Sequence, residues 1–102
     1  MAKFGYFGTM VAKEGKGKQL LDILIRASIL MSDVDGCFEY TVSVDSENNE
    51  YIHIFEVWKN KAVHDQSLQL EDVKQLIQQA LPLLSDEKIP GKNFYIKQSF
   101  HY

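Results

Sequence analysis

The sequence predicts one α+β domain: a βαββαβ chain that folds into a four-stranded antiparallel sheet with both helices on one face. Three observations carry this. Four stretches are rich in aromatic and β-branched residues, two others repeat apolar residues at intervals of three and four, and turn-forming residues separate them. The chain of 102 residues contains no linker, low-complexity tract or internal repeat. Residues 1–102 therefore fit a single domain, long enough to bury roughly two thirds of its unfolded surface without disulfide staples.

Residues 3–13 (KFGYFGTMVAK) read as the first strand, and EGKGK at 14–18 as a turn into a helix. The glycines of that turn lack the spacing to Lys and Ser/Thr that a phosphate loop needs. In the first helix Leu20, Ile23, Leu24, Ala27, Leu30 and Met31 form one apolar stripe, which stops before Asp35-Gly36. Residues 36–45 alternate Phe38, Tyr40, Val42 and Val44 with Cys37, Glu39, Thr41 and Ser43, the period of a strand. A polar loop at 46–49 leads into a third strand at 50–58. Asn60 can cap a second helix that starts near Lys61 and carries Leu70, Val73, Leu76, Ile77 and Ala80 on its inner side, with a break near 68–70 and an end at Pro82. Pro90-Gly91 reads as a further turn, and 93–100 as the last strand. Crossovers of this order give the ferredoxin-like arrangement.

Two helices cover one face of such a sheet. If Asp45 lies opposite Glu50, then Phe38, Tyr40, Val42 and Val44 share a face with Tyr51, His53, Phe55 and Val57. The other face then takes Glu39, Thr41, Ser43, Ile52, Ile54, Glu56 and Trp58. Each large apolar side chain left in water forgoes about 1.5–3 kcal/mol. The helix-free face is therefore expected to meet a second copy, making a sheet-to-sheet homodimer. The mixed face beneath the helices, with polar groups inside an apolar setting, is expected to hold a small-molecule pocket.

Composition narrows the functions. The formal net charge is −3 and Arg26 is the only arginine, so no basic face is available for nucleic acid. The third strand, YIHIFEVW, also lacks the basic-glycine-aromatic signature of RNA-recognition domains with the same element order. Cys37 is the single cysteine and reads as a small apolar filler. Three scattered histidines show no metal-ligand spacing. With no membrane-length apolar run and no leader-like start, a cytoplasmic protein is expected.

The order of elements, EGKGKQLLDIL, GCFEY and FEVWKNKAVHDQSL together resemble the antibiotic biosynthesis monooxygenase family, whose members are small dimeric α/β barrels and include quinol monooxygenases. The sharpest part is Glu56-Val57-Trp58 with Ala62, Leu68, Val73 and Lys74 behind it. The resemblance implies oxidation of a phenol, quinol or enolisable ketone by O2, often with neither metal nor flavin. Relatives on this fold also isomerise or otherwise process small hydroxy-ketones, and a non-catalytic ligand-binding dimer is a further alternative. This chain departs from the family's patterns. Positions where quinol-oxidising members often carry histidine read Val63, Ser67 and Asp72, with His64 one place off. Haem degradation is excluded, because no histidine lies between Asp65 and Phe100 and the matching first-strand position is Gly8, not asparagine.

Among candidate residues, Trp58 matches a family pocket residue and would otherwise be a core tryptophan. Glu56 and Glu39 would face each other in the register above. A desolvated member of that pair could accept a proton near neutral pH, unless Glu39 reaches water and a lysine neutralises Glu56. His64 shares a helix face with Leu68 and could deprotonate a phenol at the pocket mouth. Tyr6 is expected to line the cavity, whereas Tyr40 and His53 are expected at the dimer face.

Overall fold

The computed structural model describes residues 2–102. β1 (Lys3–Val11), α1 (Gly17–Met31), β2 (Cys37–Val44), β3 (Tyr51–Trp58), α2 (Lys61–Ser67), α3 (Glu71–Ala80) and β4 (Ile89–Ile96) follow in that order, with a 3-10 turn at Leu81–Leu83. The sheet runs β2-β3-β1-β4 with every neighbouring pair antiparallel, the ferredoxin-like arrangement expected from the sequence.

The helix boundaries follow local chemistry. The stripe of α1 is buried through Leu20, Ile23, Leu24, Ala27 and Met31, and Gly36, at φ +90°, makes the turn into β2 that a Cβ would strain. Asn60 caps α2, its side-chain oxygen accepting from the Val63 N–H at 2.9 Å. The chain leaves the helix at Leu70 (φ −65°, ψ 136°) and re-enters as α3, so the break expected near 68–70 is real. Pro82 follows α3 within the 3-10 turn, where its missing N–H forbids continuation.

Two expectations are corrected. β4 starts at Ile89, so Pro90-Gly91 belongs to a strand and not to a turn. β4 is an edge strand, where a residue without an N–H is tolerated, and its pairing with β1 shifts between Phe7 and Thr9 beside that proline. The β2–β3 register also differs by one. Tyr40 pairs with Glu56, Val42 with Ile54 and Val44 with Ile52, and the Asp45 N–H donates to the Tyr51 carbonyl at 2.9 Å. An irregularity at Phe38 absorbs one residue before the strand rejoins at Cys37 opposite Trp58. A one-residue slip exchanges the faces of a strand. Tyr40 and Val42 consequently lie under the helices with Ile52, Ile54, Glu56 and Trp58, while Glu39, Thr41 and Ser43 lie on the helix-free side.

The core has two centres. Ala12, Leu20, Ile23, Leu24, Ile52, Ile54 and Ala80 pack at one end of the sheet, and Phe4, Met31, Trp58 and Val73 at the other. α1 lies on β2 and β3, whereas α3 packs mainly against α1, where Arg26 Nη2 donates to Gln79 Oε1 at 3.0 Å. The half of the sheet under α3 is left unfilled. On the helix-free side Phe7 stacks on His53 and Phe55 on Phe94, each pair with centroids 5.8 Å apart.

Candidate active site

The unfilled space is a cavity of about 410 Å³ between the sheet and the helices, reaching into both core centres. Its walls are mostly apolar, and its ionisable groups sit at one end. There the register lays a row across three strands, with Glu56 of β3 between Tyr6 of β1 and Tyr40 of β2. His64 of α2 closes over this row.

Glu56 is 6% exposed. Its Oε1 accepts from the indole Nε1–H of Trp58 at 2.8 Å and lies 3.7 Å from His64 Nε2. The second distance is too long for a hydrogen bond. A hydroxyl placed to one side of the two atoms can hydrogen-bond to both. Burial pushes the Glu56 carboxyl above its ordinary range, opposed by the Trp58 hydrogen bond and by His64. A carboxyl so placed holds its proton to higher pH than a surface glutamate.

His64 is boxed by Phe4, Tyr6 and Trp58, with ring centroids 5.5, 5.9 and 5.6 Å away. Its Nδ1 meets Asp65 Oδ1 at 2.9 Å, and Asp65 is anchored in turn by Lys61 Nζ at 2.8 Å. Those two contacts, Lys61 first, hold the Asp65 carboxyl below its usual range. An ionised Asp65 selects the tautomer with Nδ1–H, so Nε2 faces Glu56 with its lone pair. The Ser67 hydroxyl donates to the His64 carbonyl at 2.6 Å and so fixes the last turn of α2.

Burial is the main cause that raises the Tyr6 and Tyr40 hydroxyls above the ordinary phenol range, and the Glu56 charge adds to it. Both stay protonated and can donate. The ring of Tyr6 crosses two bare backbones: a Cβ on Gly8 would come within 2.7 Å of its oxygen, and one on Gly91 within 2.2 Å. Those glycines make the room in which Tyr6 reaches the cavity.

Of the residues singled out from sequence, Tyr6, Glu56, His64 and Leu68 line the cavity. Trp58 is fully buried behind Glu56, where it acts through its hydrogen bond and not as a wall. Glu39 is not at the cavity; it accepts from Thr41 and Tyr102 on the helix-free side, because the register places it there. The expected Glu39–Glu56 pair does not exist. Tyr40, expected at the dimer face, takes that place beside Glu56. Its signal was the match between the apolar side of β2 and the Ile52/Ile54 side of β3. Asp65 was also overlooked, although it adjoins His64 in sequence.

This fold is that of a known class. The chain belongs to the antibiotic biosynthesis monooxygenase family, whose model matches residues 6–79. A candidate antibiotic biosynthesis monooxygenase from Chloroflexus aurantiacus J-10-fl is similar at 28% identity over 96% of both chains, with a TM-score of 0.86. One from Deinococcus radiodurans is 23% identical over 97% of both, with a TM-score of 0.81. A variant of SnoaB, a cofactor-independent oxygenase from Streptomyces nogalater, shares the fold at 11% identity over 98% of both, with a TM-score of 0.80. No curated protein sequence matches the chain. Among the described residues, no helix is long and apolar enough to cross a membrane.

Proposed function

We propose that the protein is a monooxygenase that oxidises a small phenolic or quinol-like substrate with O2, using neither metal nor flavin. The observation that carries this reading is the Glu56–His64 pair, beside Tyr40 at one end of a mostly apolar cavity. An electron-rich aryloxide can reduce O2 itself, so the protein has only to bind it, move protons and exclude water.

The phenol O–H bridges His64 Nε2 and Glu56 from the cavity side. His64 takes its proton while Asp65 steadies the imidazolium. Tyr40, paired with Glu56 across β2 and β3, donates to the aryloxide oxygen, while Tyr6, whose hydroxyl lies over Gly8 and Gly91, walls the ring. The aryloxide passes one electron to O2, and the two radicals couple at a ring carbon that bears hydrogen. His64 protonates the resulting peroxide anion. Glu56 removes the ring hydrogen as a proton while the O–O bond breaks and hydroxide leaves. Glu56 then returns that proton, giving water. One oxygen atom stays on the quinone product and the other leaves as water.

The test is oxygen uptake with a panel of hydroquinones and hydroxynaphthalenes, and mass spectrometry after reaction with heavy-isotope O2. One labelled atom per product is expected, and His64→Phe, which keeps the aromatic box, should lower kcat roughly 100-fold or more. Absence of uptake with every phenol would overturn the reading. The same proton pair could also move a hydrogen between carbon and oxygen of a hydroxy-ketone, and turnover without oxygen uptake would identify that isomerase reading. The apolar helix-free face around Phe7, Phe55 and Phe94 further supports a homodimer formed through it.

A further inference from the structure

The cavity carries a second message, about what its substrate looks like away from the reacting end. We propose that the substrate is an uncharged phenol bearing an alkyl or prenyl extension, with its ring against Glu56 and His64 and its tail running beneath α3 to Ile77 and Leu81. The inference rests on the oxygenase reading for the reaction, but not for the shape of the ligand.

Size is the first argument. A cavity of about 150 Å³ already accommodates a benzene ring, and this one is about 410 Å³. A bare single-ring phenol would leave most of it empty or wet. Polarity is the second. The ionisable groups of the lining, Glu56 and His64, sit at one end, beside the Trp58 core centre. α3 runs from that end, where Val73 is buried, to the other, where Ala80 is buried against Leu20 and Ala12. α3 and the turn after it give that path only Leu76, Ile77, Ala80, Leu81 and Leu84; Thr9 also lines the cavity, but its hydroxyl is engaged by His53 Nδ1 at 2.9 Å.

Charge is the third argument. No lysine or arginine lines the cavity, and its one carboxylate is Glu56. An acidic substituent would lose its hydration without gaining a partner. The rim is the fourth. Leu68, Ile77 and Leu81 line the cavity yet remain 42%, 41% and 55% exposed. A polar ligand would favour a polar rim, and an apolar tail explains these three together.

Calorimetric binding without oxygen tests this, using hydroquinone, its methyl to butyl derivatives and a carboxylated analogue. Each buried methylene should tighten Kd about three- to fourfold, so butylhydroquinone should bind roughly 50-fold or more tighter than hydroquinone. The carboxylated analogue should bind at least about tenfold more weakly than hydroquinone. Ile77→Asp and Leu81→Asp, both at exposed positions, should each cut the butyl preference at least about fivefold. Equal affinity across the alkyl series, or retention of the carboxylated analogue, overturns the proposal whatever the variants do. Oxygen uptake is scored separately. A strong alkyl preference without uptake would sink the oxygenase reading and leave this ligand class standing; uptake without preference would do the reverse.

Discussion

Replacing Trp58, the only tryptophan, with Phe isolates what its N–H does for the buried carboxylate. In the native protein Nε1–H donates to Glu56 Oε1 at 2.8 Å, in a place with almost no solvent. A hydrogen bond to a charged group contributes about 1.5–3 kcal/mol, and one between neutral groups about 0.5–1.5 kcal/mol. Shrinking indole to phenyl adds a packing loss of about 1–2 kcal/mol, below the about 3–5 kcal/mol of a full truncation to Ala. The Glu56 carboxyl is raised above its ordinary range, so the folded protein holds a proton that the unfolded chain has released. Stability therefore falls as pH rises from the ordinary carboxylate range through the folded-state value. Losing the indole donor raises that value further and prolongs the fall. Trp58→Phe should thus cost about 2–3 kcal/mol near pH 4 and about 1–1.5 kcal/mol more near pH 8, out of a domain stability of about 5–15 kcal/mol. Urea unfolding followed by circular dichroism at the two pH values measures the difference. A penalty that stays constant or shrinks as pH rises would refute the reasoning.

Other expectations follow from the same geometry. Glu56→Gln removes the ionisable group, so the variant should lose the fall in stability with rising pH and unfold at higher urea than the parent near pH 8, while oxygen uptake drops by about 100-fold or more. Gly91→Ala places a methyl 2.2 Å from the Tyr6 hydroxyl and should cost about 1–3 kcal/mol, with a raised KM for phenols as Tyr6 is pushed aside. Phe7→Asp puts a charge on the helix-free face and should shift the sedimentation coefficient from dimer to monomer at micromolar concentration; a parent already monomeric at that dilution would refute the homodimer.

Element order and type were legible because they depend on local periodicity. The stripe of α1, the cap at Asn60 and the break before α3 all lie within a few residues of their cause. The pairing of β2 with β3 was not. It depends on the closure of the loop after Asp45 and on the irregularity at Phe38, and loop length alone does not fix the parity of a pairing. That single residue moved Glu39 out of the cavity and Tyr40 into it. Pro90 misled for a related reason: whether a proline ends a strand depends on whether the strand has a neighbour on that side, which is a property of the whole sheet. The cavity was foreseeable only in outline, since nothing local in the sequence says that α3 leans on α1 and leaves the sheet beneath it bare.

That lean divides the molecule by task. Glu56 and His64 belong to β3 and α2, while the far wall belongs to α3, joined to them by the extended residue Leu70. Substitutions along α3 can therefore reshape the hollow without touching its ionisable end. On the proposed function, one helix face would then set which substrate enters, independently of the groups that act on it.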